Sequence, residues 1–323
     1  VELHIKYIVT GADGQLGGRV AENMLNSVSG DQLIFTAPDP SRIPTEKQQR
    51  WLDAGVELRK ADYNDKNGMI AAFTGGDRIF FVSSIINGPK RVAQHKNVID
   101  AIKAAGVSHL TYTSFVGANR PGYHQYVLED HRPTEKYIKS SGLKYNIMRN
   151  NLYMENYVTV SVILAMLSNN VWGTNAGEGK ATFIAKDDSA RVAAALLLGK
   201  GTDNQDYDIT SLTPVSERDI CEMIAQKSGI SFKYQAMNDA EFHDYLTNLG
   251  IPETTDGDYS RSPVPFCTND MVTNEKGIAQ NQMAVISHDV EKLTGHKPLE
   301  VQDLLEKYSY VWKEKLTSSR QLH

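Results

Sequence analysis

The stretch HIKYIVTGADGQLGGRV, residues 4–20, decides the fold. Its first half is a short β-branched run that ends in glycine, which reads as a buried strand. Gly11, Gly14 and Gly17 follow at three-residue spacing. Beyond them Leu16, Val20, Met24, Leu25 and Val28 fall on one helical face. Strand, glycine turn and helix in this order supply the context that a bare glycine pattern lacks. In such a unit the first glycine makes the tight turn, the second admits a pyrophosphate and the third packs helix on strand. The helix N-terminal amides then face the phosphates. The spacing GxxGxxG departs from the usual GxGxxG, and a βα turn with glycines kept only for packing would read the same way.

Outward from this unit the same rhythm repeats. QLIFTA, VELRKADY, RIFFVSS, VSHLTYTS and KYNIMRN read as short strands, each separated from the next by a helical pattern such as QHKNVIDAIKAAG. Strict strand–helix alternation predicts right-handed crossovers and an α/β doubly wound parallel sheet of Rossmann type. The rhythm changes after Asn150. We therefore expect a dinucleotide-binding domain over residues 1–150 and a smaller α/β substrate lobe over 151–323, partly interleaved with the first sheet. The stretch IPETTDGDYSRSPVPFCTND holds no clear element and reads as a mobile loop over a site, and the role of residues 254–286 stays open. LEVQDLLEKYSYVWKEKL, residues 299–316, reads as a closing amphipathic helix.

Composition narrows the function. A net charge of −5 argues against nucleic acid, which selects a basic face. Two cysteines without metal spacing point to a reducing cytoplasm rather than a disulfide scaffold. VELHIKYIVTG runs straight into a strand and does not read as a signal sequence. The apolar run VTVSVILAML is about half the length of a bilayer span, so no membrane is expected. His131 and Glu135 share a helical face without a third metal ligand. GxSxG and GxxxxGK[ST] are both absent.

Several ordered segments together carry a resemblance. VTGADGQLGGRV, VELRKADYNDKNGMIAAFTGGDRIFFVSS, QHKNVIDAIKAAGVSHLTYTS, TEKYIKSSGLKYNIMRNNLYMENY and NAGEGKATFIAKDDSARVAAALL resemble the NmrA-like atypical group of the short-chain dehydrogenase/reductase superfamily. Within the group they are most similar to bacterial NADPH:quinone and triphenylmethane-dye reductases. The resemblance implies a reductase that binds NADP(H), with NAD(H) as the alternative, and takes a small-molecule electron acceptor as a monomer or homodimer. It implies that Gly11, Asp13, Gly14, Gln15, Leu16 and Gly17 surround the pyrophosphate. Asp62 and Tyr63 would lie by the adenine and Ser83 and Ser84 along the ribose path. Lys136 would reach the nicotinamide ribose, and Asn150, Asn151 and Tyr153 would lie near the nicotinamide and substrate. Asp62 also suits a cap on the following helix.

Three departures qualify this picture. Asp13 puts a carboxylate in the phosphate loop, where capping the helix is the favoured role and weakened cofactor affinity the competing one. At the end of the second strand TAPDPSR has Pro38 where an arginine for a 2′-phosphate is expected; Asp39 favours NAD, whereas Arg42 can still serve NADP. Finally, none of the fifteen tyrosines stands four residues before a lysine, and Arg132 occupies the place four before Lys136. Acceptors that need little acid help, such as quinones and cationic dyes, fit this absence. Tyr123, Tyr126 and His131 are the remaining candidate acid or stacking groups. A non-catalytic dinucleotide sensor is the second reading.

Overall fold

The computed structural model describes residues 4–254 and 258–323. The first half runs β1 (Tyr7–Val9), α1 (Gln15–Ser27), β2 (Leu33–Ala37), α2 (Thr45–Asp53), β3 (Glu57–Lys60) and α3 (Lys66–Phe73). It continues through β4 (Arg78–Phe81), α4 (Pro89–Ala104), β5 (His109–Phe115), α5 (Leu128–Ser140) and β6 (Lys144–Asn150). Next come α6 (Met154–Val158), α7 (Val160–Leu167), β7 (Val171–Thr174), β8 (Lys180–Ala181) and α8 (Lys186–Leu197). The chain then passes through β9 (Gln205–Ile209), β10 (Val215–Ser216), α9 (Glu217–Ser228), β11 (Lys233–Ala236) and α10 (Asp239–Asn248). It ends with α11 (Thr268–Ala279), α12 (Asp289–Thr294) and α13 (Tyr310–Lys313).

Seven strands make one parallel sheet in the order β3-β2-β1-β4-β5-β6-β9. The inner strands are apolar because both faces are covered. Val20, Met24, Trp51 and Val192 from α1, α2 and α8 fill one side, and Met69, Phe73, Val98, Ile102 and Ile138 from α3, α4 and α5 the other. β3 lies at the edge and carries Glu57, Arg59 and Lys60, charges that blunt an open strand. The chain winds outward from β1 to β3 and then returns to β4, so the topological switch lies between β1 and β4. That is where a doubly wound sheet opens its ligand crevice.

Residues beyond Asn150 both complete this sheet, through β9, and build a second core. Tyr157, Trp172, Phe183, Ile224 and Ile278 meet there with Val301, Val311 and Trp312. Glu275 and Glu217 are buried in the same core. Glu275 Oε1 accepts from the Tyr157 hydroxyl at 2.7 Å, and Glu217 accepts from Trp172 Nε1 at 3.3 Å and Thr174 Oγ1 at 2.9 Å. Burial first, and the neighbouring Glu217 second, push the Glu275 carboxyl well above its ordinary range.

One expectation fails here. Residues 299–316 do not form one helix; a 3₁₀ turn (Val301–Leu304) and the single turn of α13 replace it. Tertiary partners claim its aromatic side chains in different directions. The Tyr308 hydroxyl accepts from Arg19 on α1, whereas Tyr310 Oη donates to the His323 carbonyl. Among the described residues of the stretch read as a loop, 251–270, no helix or strand precedes Thr268, where α11 begins and carries the chain into the second core through Ile278. Residues 255–257 of that stretch lie outside the described part.

Candidate active site

The phosphate end is shaped by backbone. Gly11 has φ +59°, and a Cβ there would meet Val82 Cγ1 at 2.5 Å. At Gly17 a Cβ would sit 2.0 Å from the Gly11 carbonyl oxygen, so helix and turn touch without any side chain between them. Gly14, not Asp13, is the N-cap of α1, and no side chain caps the helix. The capping role expected of Asp13 is therefore corrected: the chain enters the helix one residue later than the sequence suggests. Asp13 is exposed, and desolvation by its surroundings raises its pKa, opposed by its own backbone amide and by Arg42. Leu16 is buried, whereas Gln15 stays exposed and accepts from Arg19 through both its carbonyl and Oε1 at 2.9 and 3.1 Å.

At the end of β2, Asp39 caps a 3₁₀ turn by accepting from Ser41 N at 3.1 Å and Ser41 Oγ at 2.6 Å. Those bonds hold its carboxyl below the usual range. Arg42 leaves its side chain 83% exposed, 3.5 Å from Asp39. The carboxylate is thus engaged and the guanidinium available.

The crevice floor is pinned by hydroxyls. Tyr63 donates to Val82 O at 2.7 Å and lies 3.0 Å from Thr10 Oγ1, which joins the ends of β1 and β4 across the switch point. Asp62 accepts from Asn64 N at 2.8 Å; the cap on α3 is Asp65, not Asp62. Ser83 N donates to Thr113 Oγ1 at 2.8 Å, and Ser84 N to His95 Nε2 at 3.0 Å. His95 Nδ1 then reaches Thr134 Oγ1 at 3.0 Å, which in turn donates to Asp130 O at 2.8 Å. Burial and the nearby Arg91 hold the His95 pKa well below its ordinary value, so this relay is neutral and its geometry fixes one tautomer.

At the far end of the crevice the sequence-derived residues divide. Asn150 and Tyr153 are brought together: Asn150 Nδ2 donates to Tyr153 Oη at 3.2 Å and Asn150 Oδ1 accepts from Ser189 at 2.9 Å. Burial pushes the Tyr153 phenol up to about 12, and Lys186 Nζ lies 5.6 Å from its ring centre. Asn151 faces the second lobe instead, bound to Thr182 Oγ1 at 3.0 Å and Met283 O at 2.9 Å. Lys136 makes none of the buried contacts of its helix. α5 turns Asp130, His131, Thr134, Glu135 and Ile138 inward, which leaves Lys136 exposed on its solvent side. His131 is corrected as well, being a buried group 2.6 Å from Tyr112 Oη and kept neutral by burial.

Tyr123 and Tyr126 lie on the loop between β5 and α5. The Tyr123 hydroxyl accepts from Arg120 at 2.7 Å. That loop is clamped by Arg132, whose guanidinium donates to the carbonyls of Gly117, Ala118, Arg120 and Tyr123. Arg132 thus fills the place of a short-chain dehydrogenase tyrosine with a structural cation, a role the sequence position alone did not disclose. Arg149 shows the same use of charge, paired with Glu135 at 2.6 Å and Asp206 at 2.9 Å. A cavity of about 780 Å³ opens outward from Gly14 and Gln15 along α1 and α8 toward Tyr308. Its wall charges include the Arg19–Asp187 pair at 2.7 Å, so it presents little unbalanced charge to a ligand. Among the described residues no group of His, Cys, Asp or Glu is arranged to hold a metal ion, and no helix is long and apolar enough to cross a membrane.

The family pattern of the NmrA-like family matches residues 5–302. The chain belongs to the NmrA-like family. A curated relative, quinone oxidoreductase 2 of Escherichia coli strain K12, is 31% identical over 245 residues, covering 76% of this chain and 82% of that protein. NAD(P)H azoreductase of Xenophilus azovorans is 24% identical over 248 residues, with 76% and 82% covered. Among solved structures, the E. coli NADPH-dependent quinone oxidoreductase complexed with NADPH superposes with a TM-score of 0.81 at 27% identity, covering 95% of this chain and 99% of that one. The Citrobacter sp. triphenylmethane reductase complexed with NADP(H) gives 0.77 at 26% identity, covering 94% and 100%. The Rossmann-type sheet of this NmrA-like chain is the architecture they share.

Proposed function

We propose that this NmrA-like chain is an NADPH-dependent reductase that directs hydride to a quinone, a dye or a similar electrophilic small molecule. The observation that carries the reading is the glycine turn at the β1/β4 switch, where Gly11 and Gly17 admit no side chain and Gly14 opens α1 toward a diphosphate. Two structural relatives of this fold are solved with NADPH or NADP(H), and the residues here suit the same cofactor. Arg42, exposed and 3.5 Å from Asp39, is the cation that would turn to a 2′-phosphate, and Asp39, engaged by Ser41, is the less available partner for ribose hydroxyls. The bound cofactor supplies the hydride. The protein supplies position and exclusion of water.

Residues 1–150 would hold the dinucleotide and residues 151–323 would wall the acceptor. Asn150, fixed by Ser189, and Tyr153, packed under Lys186, would set the nicotinamide end. The acceptor class follows from what the site lacks. With Arg132 committed to backbone carbonyls, the place four residues before Lys136 offers no tyrosine to protonate a basic alkoxide. A quinone yields a weakly basic phenolate, and a triphenylmethane cation yields a neutral product without any proton.

The test is cofactor oxidation by the purified protein with NADPH and NADH, against a panel of quinones and triphenylmethane dyes. Turnover with NADPH preferred is the expected result. Tight cofactor binding with no turnover on any acceptor would establish the sensor reading in its place.

A further inference from the structure

We infer that Lys186, the first residue of α8, is a cation from the second lobe for the diphosphate of the bound dinucleotide. The inference rests on the dinucleotide-binding part of the reading above and adds a residue from beyond Asn150 to that site. Lys186 lines the same cavity as Gly14 and Gln15. Arg19 ties the first turns of α1 and α8 together. Its Nε donates to Asp187 Oδ1 at 2.7 Å, and its Nη1 donates to the Gln15 carbonyl at 2.9 Å. Lys186 immediately precedes Asp187, so α8 opens beside the start of α1.

The two helices meet the cavity differently. At α8 both carboxylate oxygens of Glu155 accept from Lys186 N at 3.0 Å, so a protein anion already occupies that N-terminus. At α1 the cap is Gly14, and no side chain takes the place of Glu155. The amides of its first turn are left for an anion from outside. They supply only about half an elementary charge. A diphosphate carries a charge on each phosphate, and Asp13 lines the cavity as well. A full cation is needed to balance them.

Most cations of the wall are already matched. Arg19 pairs with Asp187 at 2.7 Å, Lys307 stands 3.9 Å from the same carboxylate, and Arg191 pairs with Asp188. Lys47 lies over Trp51 and in the field of Glu22, about two turns further along α1. Lys186 is the exception. Among the described residues no carboxylate stands within ion-pair reach of its ammonium, which sits 5.6 Å from the Tyr153 ring centre. Glu155, the carboxylate in its field, is engaged by its amide. Burial lowers the Lys186 pKa, with Glu155 opposing the shift and Arg19 adding to it. An ammonium drawn partly out of water without a counter-ion is unfavourable, and a phosphate oxygen restores the balance through a charge-assisted hydrogen bond.

The experiment titrates wild type, Lys186→Met and Lys186→Arg by calorimetry with NADPH, NADH and 2′-phospho-ADP-ribose, which lacks the nicotinamide. Methionine keeps an apolar stem over Tyr153 and removes the charge. The diphosphate is common to all three ligands, so Lys186→Met should weaken each at least about tenfold and Lys186→Arg should recover most of the loss. A second readout uses the wild type alone and stands even if a variant folds poorly. With an amine-acylating reagent and mass spectrometry, Lys186 should be labelled in the free protein and protected by 2′-phospho-ADP-ribose. Unchanged affinities in Lys186→Met, a loss that spares 2′-phospho-ADP-ribose, or labelling that this ligand leaves unaltered would each overturn the assignment alone. A wild type that binds none of the three ligands would overturn the dinucleotide reading, and the assignment with it.

Discussion

At the phosphate end of the crevice the working surfaces are backbone: Gly11 and Gly17 pressed together, and the open first turn of α1 at Gly14. In the second core they are buried side chains, with Glu275 bound by Tyr157 and Glu217 by Trp172 and Thr174. The first region holds position through steric contact, which neither pH nor salt alters. The second holds it through protons and charges in a poorly solvated interior, where one ionisation changes the balance of a whole cluster. The contrast shows how one chain can keep a rigid glycine turn beside an ionisable core.

Three changes test the contrast. The largest effect is expected from Gly17→Ala, because the new Cβ would lie 2.0 Å from the Gly11 carbonyl oxygen and backbone has to move. We expect a loss of about 2–3 kcal/mol in urea denaturation and NADPH affinity weakened beyond tenfold by fluorescence titration. Retained affinity would show that the turn tolerates more than steric contact allows. On the other side, Glu275→Gln keeps an acceptor for Tyr157 and removes the charge that would form beside Glu217. The raised folded pKa of Glu275 means that wild-type stability is full at low pH and is lost as pH rises through that pKa. The variant should match wild type in Tm at pH 5 and exceed it at pH 9. Identical pH profiles would contradict that raised pKa. The smallest effect is expected at the exposed Arg42: Arg42→Ala should leave Tm unchanged and weaken NADPH several-fold while sparing NADH. Equal weakening of both cofactors would end its assignment to a 2′-phosphate.

Much of the crevice was legible from local pattern. The glycines of residues 11–17, the apolar strands and the alternation with helices all report short-range geometry, and the seven-stranded sheet carries them as expected. Asn150, the last residue of β6, is hydrogen-bonded to Tyr153 three residues on. Asp13 misled because the helix begins one residue later than its composition implies, with a glycine at the cap. His131 misled because the rotation of α5 against the sheet decides which residues turn inward, and a helix with polar residues on two faces does not announce it.

The sequence by itself determined the doubly wound sheet, its glycine turn and the absence of any tyrosine four residues before a lysine, since each depends on neighbours within a few residues. The tertiary structure alone decided that Arg132 is a clamp, that Asp39 is held by Ser41 while Arg42 stays exposed beside it, and that Arg149 joins Glu135 to Asp206. Those roles arise from burial and from charges brought together across long sequence separations. Only the folded chain sets the dielectric and the distances that give a carboxyl or a guanidinium its chemistry.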